Sequence, residues 1–375
     1  MKQNLYLFSD TILRKKNNTL MVEKDFNCDA AHQADIDENC EDSLLVSTEK
    51  VEVKGEKKFI PTQNVEAIYC FGNVKFNTSF LSLASYHAIP VHTFNYYGNY
   101  IGSFMPRAEI NSGNIVLRQA EHFSDQMKRF AICLKLIEGA GANIMSNLNY
   151  YKYRGVTLDE EILAIESSLS FLNIYKAEDL FETDDFERII FSMTSDTILG
   201  HEGSVRRVYY SAWKKFLKQE TGFVKRNRRP PEDMINCLIS FGNTMMYTIC
   251  LNEIFRTGLL PSIGFLHTPG DNRFPLSFDI AEIFKPVIID KVIFRVINLD
   301  MIKEEDFSYK EGKLLMNDKA RRKFVEEIEN RLKTVIMHPT LKRGVSYRTL
   351  IRLECYNLIK HLKGTEEYKP FISER

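Results

Sequence analysis

The first hundred residues consist of short runs of β-branched, aliphatic and aromatic residues, a pattern typical of strands. NLYLFSD and TLMVEK are two such runs joined by the turn-like KKNN, and VEAIYCF is a third. The segment IPVHTFNYYGNYIGSF predicts two more strands around Gly98-Asn99. A helical pattern interrupts the strands only at TSFLSLASYHA. We therefore predict a small sheet domain over residues 1–105.

The periodicity changes to helical after PRAEINSG, whose Pro and Gly mark a break between residues 105 and 113. Apolar residues then recur at spacings of three and four in MKRFAICLKLIEGA, DEEILAIESSLSFL and DFERIIFSMTSDTIL. The pattern predicts an α+β fold, in which a small β-rich N-terminal domain precedes a larger all-α domain over residues 113–375.

A later helix should begin at Asp233, after Pro230-Pro231, and end before Gly258. It carries a polar stripe at helical spacing, formed by Asn236, Ser240, Asn243 and Tyr247. The stripe is either an ordinary exposed face or the wall of a cleft, with Asn236 and Tyr247 holding ligands or a DNA strand.

Length and composition set limits on these domains. A chain of 375 residues with 44% hydrophobic residues is long enough for two cores. The sequence contains no run of 18 apolar residues, and it does not begin with a signal-peptide pattern. We therefore expect a cytoplasmic protein without a membrane span. The seven cysteines are scattered and never form C-x-x-C, which argues against a disulfide framework or a zinc site.

Charge is balanced overall, with 50 basic and 50 acidic residues, but it is unevenly distributed. Residues 25–49 are acidic and contain no Lys or Arg, which predicts a solvated, mobile insertion at about 25–50. Residues 214–229 are basic instead, with Glu220 as their one carboxylate. The second run is either a solvated face or a track for phosphates, and the track would use Lys225, Arg226, Arg228 and Arg229.

Four possible metal ligands lie far apart in the sequence. Glu202 is predicted to open a helix at the edge of its buried stripe, and His267 lies beside a Gly- and Pro-rich loop. Asp279 and Glu282 share a helical face within an apolar segment. Taken singly, each residue has an ordinary explanation. Glu202 would be a first-turn helix residue, His267 a core histidine, and Asp279 and Glu282 part of a solvated helix face. Together, three carboxylates and an imidazole suit Mg²⁺ or Mn²⁺.

The order of these motifs resembles a known family. The chain presents, in turn, LGHEG, KRNRRPPED, NCLISFGNTMMY, GLLPSIGFLH and LSFDIAEIFKPVIIDKVIF, and this order is similar to that of the CRISPR-associated endonuclease and integrase of spacer acquisition, the first Cas protein. The similarity extends upstream to VEAIYCF and downstream to EEYKPF. Only about residues 25–50 lack a counterpart.

The resemblance implies a chemistry and a set of partners. The metal would be held by Glu202, His267 and Glu282, with Asp279 a direct or water-mediated ligand and Lys285 and Tyr247 beside the reacting phosphate. Arg273 and Asn236 would join the basic run in binding double-stranded and branched DNA. The family works as a homodimer bridged by the small second CRISPR-associated protein, and it joins DNA 3′-hydroxyl groups to a CRISPR array. Two alternatives are a structure-specific DNA repair nuclease and a DNA-binding protein whose metal site has decayed.

Overall fold

The structure is a computed structural model that falls into two compact units, Met1–Glu109 and Ile110–Arg375. It describes residues 2–24, 57–106, 113–170, 195–218, 221–227, 230–268, 270, 274–310, 312–338 and 340–373. The predicted acidic insertion lies outside these residues.

The described residues of the first unit form two four-stranded sheets and the helix α1. One sheet has the order β1-β5-β7-β8, in which β8 alone is antiparallel to its neighbour, and the other has the order β4-β3-β2-β6, in which β6 runs parallel to β2. The elements are β1 Gln3–Leu7, β2 Thr11–Lys16, β3 Thr19–Lys24, β4 Lys57–Pro61, β5 Val65–Cys70, β6 Val74–Phe76, α1 Thr78–Tyr86, β7 Val91–Phe94 and β8 Tyr100–Phe104.

The predicted turn at KKNN is shorter than the sequence pattern suggested. Lys15 and Lys16 complete β2, so the turn consists of Asn17 and Asn18, and Asn17 adopts a positive φ of 53°. Asn tolerates this conformation better than most residues. Strand β2 itself was not predicted, because its three C-terminal residues are all basic. Leu13 of β2 and Ile68 of β5 bury their side chains in one core between the sheets.

The second unit is mainly helical, which confirms the predicted α+β class. It also contains two antiparallel strand pairs that the sequence did not predict. The elements described are α2 Gly113–Ser124, α3 Gln126–Lys152, α4 Asp159–Leu169, α5 Ser195–Ala212, α6 Met234–Phe255, α7 Pro275–Phe284, α8 Lys291–Asn298, β9 Phe307–Lys310, β10 Lys313–Met316, α9 Asp318–Lys333, β11 Val335–Met337, β12 Gly344–Ser346 and α10 Tyr347–Leu362.

Helix α6 forms the centre of this unit. It begins after Asp233, close to the predicted start, and Asp233 caps it by accepting a hydrogen bond from the backbone N–H of Asn236. Within the described residues, α6 is the helix long and apolar enough to cross a membrane, but 78% of its most apolar window is buried inside the protein. This burial is the pattern of a core helix. Gly242 lets α6 approach its neighbour closely, because a Cβ there would lie 2.5 Å from the side chain of Ile289.

That neighbour is a π-helical turn, Pro286–Asp290, between α7 and α8. Pro286 has no N–H for the carbonyl of Glu282, and the N–H of Asp290 instead reaches the carbonyl of Lys285 at 3.0 Å, a spacing of five residues. The missing N–H of Pro286 predicts a bend or break of the helix at this point, and in the structure the break takes the form of a π-turn. Such turns are frequent at functional sites.

Candidate active site

Glu202 lies well inside α5, since the helix is described from Ser195. The prediction that Glu202 opens this helix is therefore wrong, and the helix dipole does not account for its carboxylate. Its partner is Arg206, four residues later on the same face, whose Nε donates to Glu202 Oε1.

Arg206 joins two of the predicted ligands. Its Nη2 donates to Glu282 Oε2 while its Nε holds Glu202, so one guanidinium bridges carboxylates from α5 and α7. The side chain of Arg206 is 9% exposed, and its Nη1 is buried without a hydrogen-bond partner in the structure. Sequence analysis missed Arg206, although its spacing from Glu202 was a usable signal.

Lys285 neutralises Glu282 from the other side. Its Nζ lies 2.5 Å from Glu282 Oε1 and 4.7 Å from the ring centroid of Tyr247 on α6. Tyr247 in turn packs edge-on against Phe278, which also contacts the ring of His267. The structure thus brings Glu202, Glu282, Lys285 and Tyr247 into one cluster.

Asp279 fixes the orientation of His267 through hydrogen bonds. Its Oδ2 accepts hydrogen bonds from the backbone N–H groups of Phe265 and Leu266, and its Oδ1 accepts from the N–H and the Nδ1 of His267, the latter at 2.8 Å. A carboxylate only accepts, so the neutral ring carries its proton on Nδ1 and leaves Nε2 for a ligand. Because Asp279 is fully buried and both its oxygens are occupied, its evident role is to orient His267.

The loop that carries His267 is folded tightly at Gly264. A Cβ on that residue would lie 2.6 Å from the carbonyl oxygen of His267, so only glycine fits there without displacement. The close packing fixes the position of the imidazole relative to α7.

The charges in this cluster determine its pKa values. Burial raises the pKa of Glu282, but the charges of Arg206 and Lys285 outweigh burial and hold that pKa well below its usual range. Burial lowers the pKa of His267, yet the hydrogen bond and charge of Asp279 give a net increase. Both predicted carboxylate ligands are therefore paired with cations, and Glu282 is ionised at neutral pH.

A further carboxylate lies behind the cluster on the π-turn. Asp290 is 1% exposed, and burial raises its pKa to about 7. It interacts with the hydroxyl of Tyr209, which also accepts a hydrogen bond from Asn147 at 2.9 Å. Asn147 donates a second hydrogen bond to the carbonyl of Pro286. Sequence analysis missed Asp290 because nothing in a linear pattern shows that it turns inward.

The donor set fits a divalent cation in chemical type. Two carboxylates already converge on one positive group, Arg206, and His267 presents a free ring nitrogen from the adjoining loop. Among the residues that the structure describes, no three His, Cys, Asp or Glu side chains form a ready metal cluster. Binding of a metal by Glu202 and Glu282 therefore requires Arg206 to leave the space between them.

Part of the predicted DNA-binding set takes a different role. Asn236 is fully buried, and its side-chain oxygen accepts from Arg226 and from the backbone of Asn227 at 2.8 Å each. Its amide nitrogen donates to the carbonyl of Lys225 and to Asp233. No donor or acceptor of Asn236 is left for DNA, so its predicted DNA contact is replaced by a role in holding this loop.

The other predicted DNA contacts divide into three groups. Lys225 is exposed on the loop, as predicted. Arg226 is half-buried and donates to Asn236 and to the hydroxyl of Ser240, at 3.0 Å for the latter. Arg228, Arg229 and Arg273 lie outside the described residues.

Comparison with known proteins identifies the family of this chain. A family model described as CRISPR associated protein Cas1 matches residues 5–330. The CRISPR-associated endonuclease Cas1 3 of Thermodesulfovibrio yellowstonii is 39% identical over 369 residues, which cover 98% of each chain. The solved structure of a Cas1 protein from Thermotoga maritima is 32% identical, with a TM-score of 0.75 and complete coverage of both chains. A casposase bound to an integration product shares the fold, with a TM-score of 0.78 at 20% identity over all of this chain and 94% of the casposase. The chain belongs to the Cas1 family of CRISPR-associated endonucleases.

Proposed function

We propose that the protein is a divalent-metal-dependent DNA endonuclease and integrase that inserts foreign DNA fragments into a CRISPR array by attack of a 3′-hydroxyl. The observation that carries the proposal is the convergence of Glu202 and Glu282 on one buried cation, beside a histidine whose Nδ1 is fixed by Asp279. This arrangement agrees with the donor set expected from the motif order.

The proposed metal ligands are Glu202, His267 and Glu282. A bound Mg²⁺ or Mn²⁺ supplies charge stabilisation at the reacting phosphate and lowers the pKa of the attacking hydroxyl or water. The chain's own residues position this chemistry. Asp279 holds the imidazole so that Nε2 faces the ligand, and Lys285 places a positive charge next to Glu282, within reach of a phosphate oxygen.

The proposed partners are double-stranded and branched DNA, a second copy of this chain, and the small second CRISPR-associated protein as a bridge. Lys225, with Arg228, Arg229 and Arg273, remains the predicted DNA-contacting set. Integration would require both active sites of the bridged assembly, whereas cleavage would require one.

A half-site integration assay with purified partner protein, Mn²⁺ and a labelled DNA end tests the proposal. Glu202→Ala, His267→Ala and Glu282→Ala should each reduce joining and cleavage by about 10²-fold or more, since each removes a metal ligand. Glu329→Ala is the matched control, because Glu329 pairs with Arg348 outside the cluster and should leave joining unchanged.

Three other outcomes would count against the proposal. Retained turnover in Glu202→Ala would exclude this site. Cleavage of branched DNA without any joining would favour a repair nuclease, and DNA binding without turnover in Mn²⁺ or Mg²⁺ would favour a decayed site.

A further inference from the structure

A second pocket in the helical unit lies away from the metal cluster. Its volume is about 760 Å³, and it shares no lining residue with the cluster of Glu202, His267, Asp279, Glu282 and Lys285. Segments from α3, the end of α5, α8 and α9 form its walls, contributing Asn147, Tyr150, Tyr151, Arg154, Val156, Lys215, Phe216, Leu217, Lys218, Lys291, Phe294, Arg295, Asn298, Leu299 and Arg331.

The lining is strongly one-sided in charge. It contains no carboxylate. Its six cationic side chains are those of Arg154, Lys215, Lys218, Lys291, Arg295 and Arg331. Two of these are neutralised from outside the pocket, since Lys215 pairs with Glu161 at 2.5 Å and Arg295 with Glu327 at 2.9 Å. Within the described residues, the other four have no carboxylate at ion-pair distance. An anion is the ligand that such a lining favours.

A neighbouring pocket shows that this asymmetry is not a general property of the surface. A pocket of about 750 Å³ on α9 and the preceding loop is lined by four carboxylates and four cations. Its charges compensate one another, and Lys319 is one of its exposed cations. The two pockets therefore match in size and differ in charge.

Lys291 and Arg331 are the innermost pair of the basic pocket. Burial together with the charge of Arg331 lowers the pKa of Lys291 to about 8. Arg331 is fixed by hydrogen bonds to the carbonyl of Val287 at 2.8 Å and to the hydroxyl of Tyr347 at 2.9 Å. Two cations held together without a counter-ion cost stability, and a bound phosphate would remove that cost.

One wall of the pocket is aromatic and apolar. Tyr151 stacks on Phe216 with their ring centroids 4.0 Å apart, and Phe294 packs edge-on against both. Tyr150 and Leu299 are about half exposed, at 49% and 56%. Aromatic surface next to cations is the combination that binds a nucleobase joined to a phosphate.

We propose that this pocket binds a nucleotide, with its phosphate against Lys291 and Arg331 and its base against Tyr150 and Leu299. The nucleotide is either free or an unpaired residue of a DNA strand, and both sources present the same chemistry. This site is independent of the proposed metal site, so it can be tested in a variant that lacks the metal ligand Glu202.

Calorimetric titration of the metal-free protein with deoxyadenosine monophosphate and with inorganic phosphate tests the proposal. Lys291→Gln should weaken binding of both ligands about tenfold, since it removes a charged hydrogen-bond donor. Tyr150→Ala should weaken binding of the nucleotide only. Lys319→Gln in the charge-balanced pocket and the Glu202→Ala variant should bind as the wild type does.

A third ligand and a second pocket variant complete the test. A short single strand of deoxyadenosine identifies DNA as the source if it binds more tightly than the mononucleotide and loses that advantage in Lys291→Gln. Tighter binding of the mononucleotide to this pocket identifies a free nucleotide. If Lys291→Gln does not fold, Lys218→Gln on the exposed rim should still weaken binding about threefold. No saturable binding, equal affinity for nucleotide and phosphate, or affinity unchanged in the Lys291 and Lys218 variants overturns the proposal.

Discussion

At the residue scale, Arg206 accounts for how two buried carboxylates are tolerated in the metal-free protein. Glu282 is 6% exposed and Glu202 is 18% exposed, so neither is well solvated. A guanidinium with planar donors satisfies both at once, whereas a lysine would present a single point charge. The same side chain stands between the two groups that are proposed to hold the metal.

Replacing Arg206 by Met should separate these two effects. Without metal, the variant should lose about 3 kcal/mol of stability, because Glu202 loses its partner and the buried Glu282 keeps only Lys285. Mn²⁺ should then raise its melting temperature more than it raises that of the wild type, since no guanidinium competes with the ion. Differential scanning fluorimetry with and without Mn²⁺ measures both quantities.

Arg207→Met is the control for this experiment, because Arg207 is the next residue and is exposed. It should change neither the stability nor the response to Mn²⁺. Equal Mn²⁺ responses in the Arg206 variant and the wild type would show that the guanidinium does not occupy the metal position.

At the element scale, the π-turn connects the site to the core. Pro286 interrupts the helix directly after Lys285, and the freed backbone carbonyls of Ile283 and Pro286 accept hydrogen bonds from Asn143 and Asn147 of α3. These bonds hold α7 against α3, so the proposed ligand Glu282 is supported by a second helix.

Gly242→Ala tests how closely α6 must approach this turn. The added methyl group would lie 2.5 Å from Ile289, so the variant should lose about 1–3 kcal/mol of stability. Gly200→Ala is the matched control, since that helical glycine has no atom within 4 Å of its Cβ position and the change should stabilise α5 by up to about 1 kcal/mol. Urea unfolding curves give both values, and equal effects would show that the approach is not tight.

At the scale of the whole helical unit, the C-terminal segment closes the core around the site helix. Glu354 on α10 accepts hydrogen bonds from the hydroxyl of Tyr368 at 2.6 Å and from the backbone N–H of Phe371. Phe371 stacks on Phe284 at the end of α7. The last residues of the chain thereby support the helix that carries Asp279 and Glu282.

The burial of Glu354 makes the stability of the protein depend on pH. Burial raises the pKa of Glu354 from 4.5 to about 7, so the folded protein keeps a proton that the unfolded chain releases. The contribution of Glu354 to the free energy of unfolding should therefore be largest below about pH 4.5. This contribution should fall by at most about 1.4 kcal/mol per pH unit as the pH rises to about 7.

Glu354→Gln should flatten this dependence, because the amide does not titrate. Urea unfolding at pH 5 and pH 7.5 measures the difference, and the variant should lose less stability between the two than the wild type does. Some dependence of stability on pH should persist in the variant, since burial raises the pKa of Asp290 to about 7 as well. An identical loss in both proteins would show that Glu354 ionises freely in the fold.

The sequence by itself determined most of what is local in this protein. Apolar periodicity predicted α1, α3 and α4, and flanking Pro and Gly residues predicted the bounds of α6. The missing N–H of Pro286 predicted a bend or break at that residue. Glu202, His267, Asp279 and Glu282 were singled out because their ligand chemistry and motif order are properties of the chain itself.

Only the tertiary structure decided which side chains meet. The bridge from Arg206 to Glu282 spans 76 residues of sequence, and the basic pocket collects its cations from several separate elements. Asn236 shows a related limit, since its helical position suggested a cleft residue, whereas the preceding loop folds back and takes up its hydrogen bonds. Helical and strand patterns depend on neighbours a few residues away, but burial, charge pairing and pKa values depend on segments that approach only after folding.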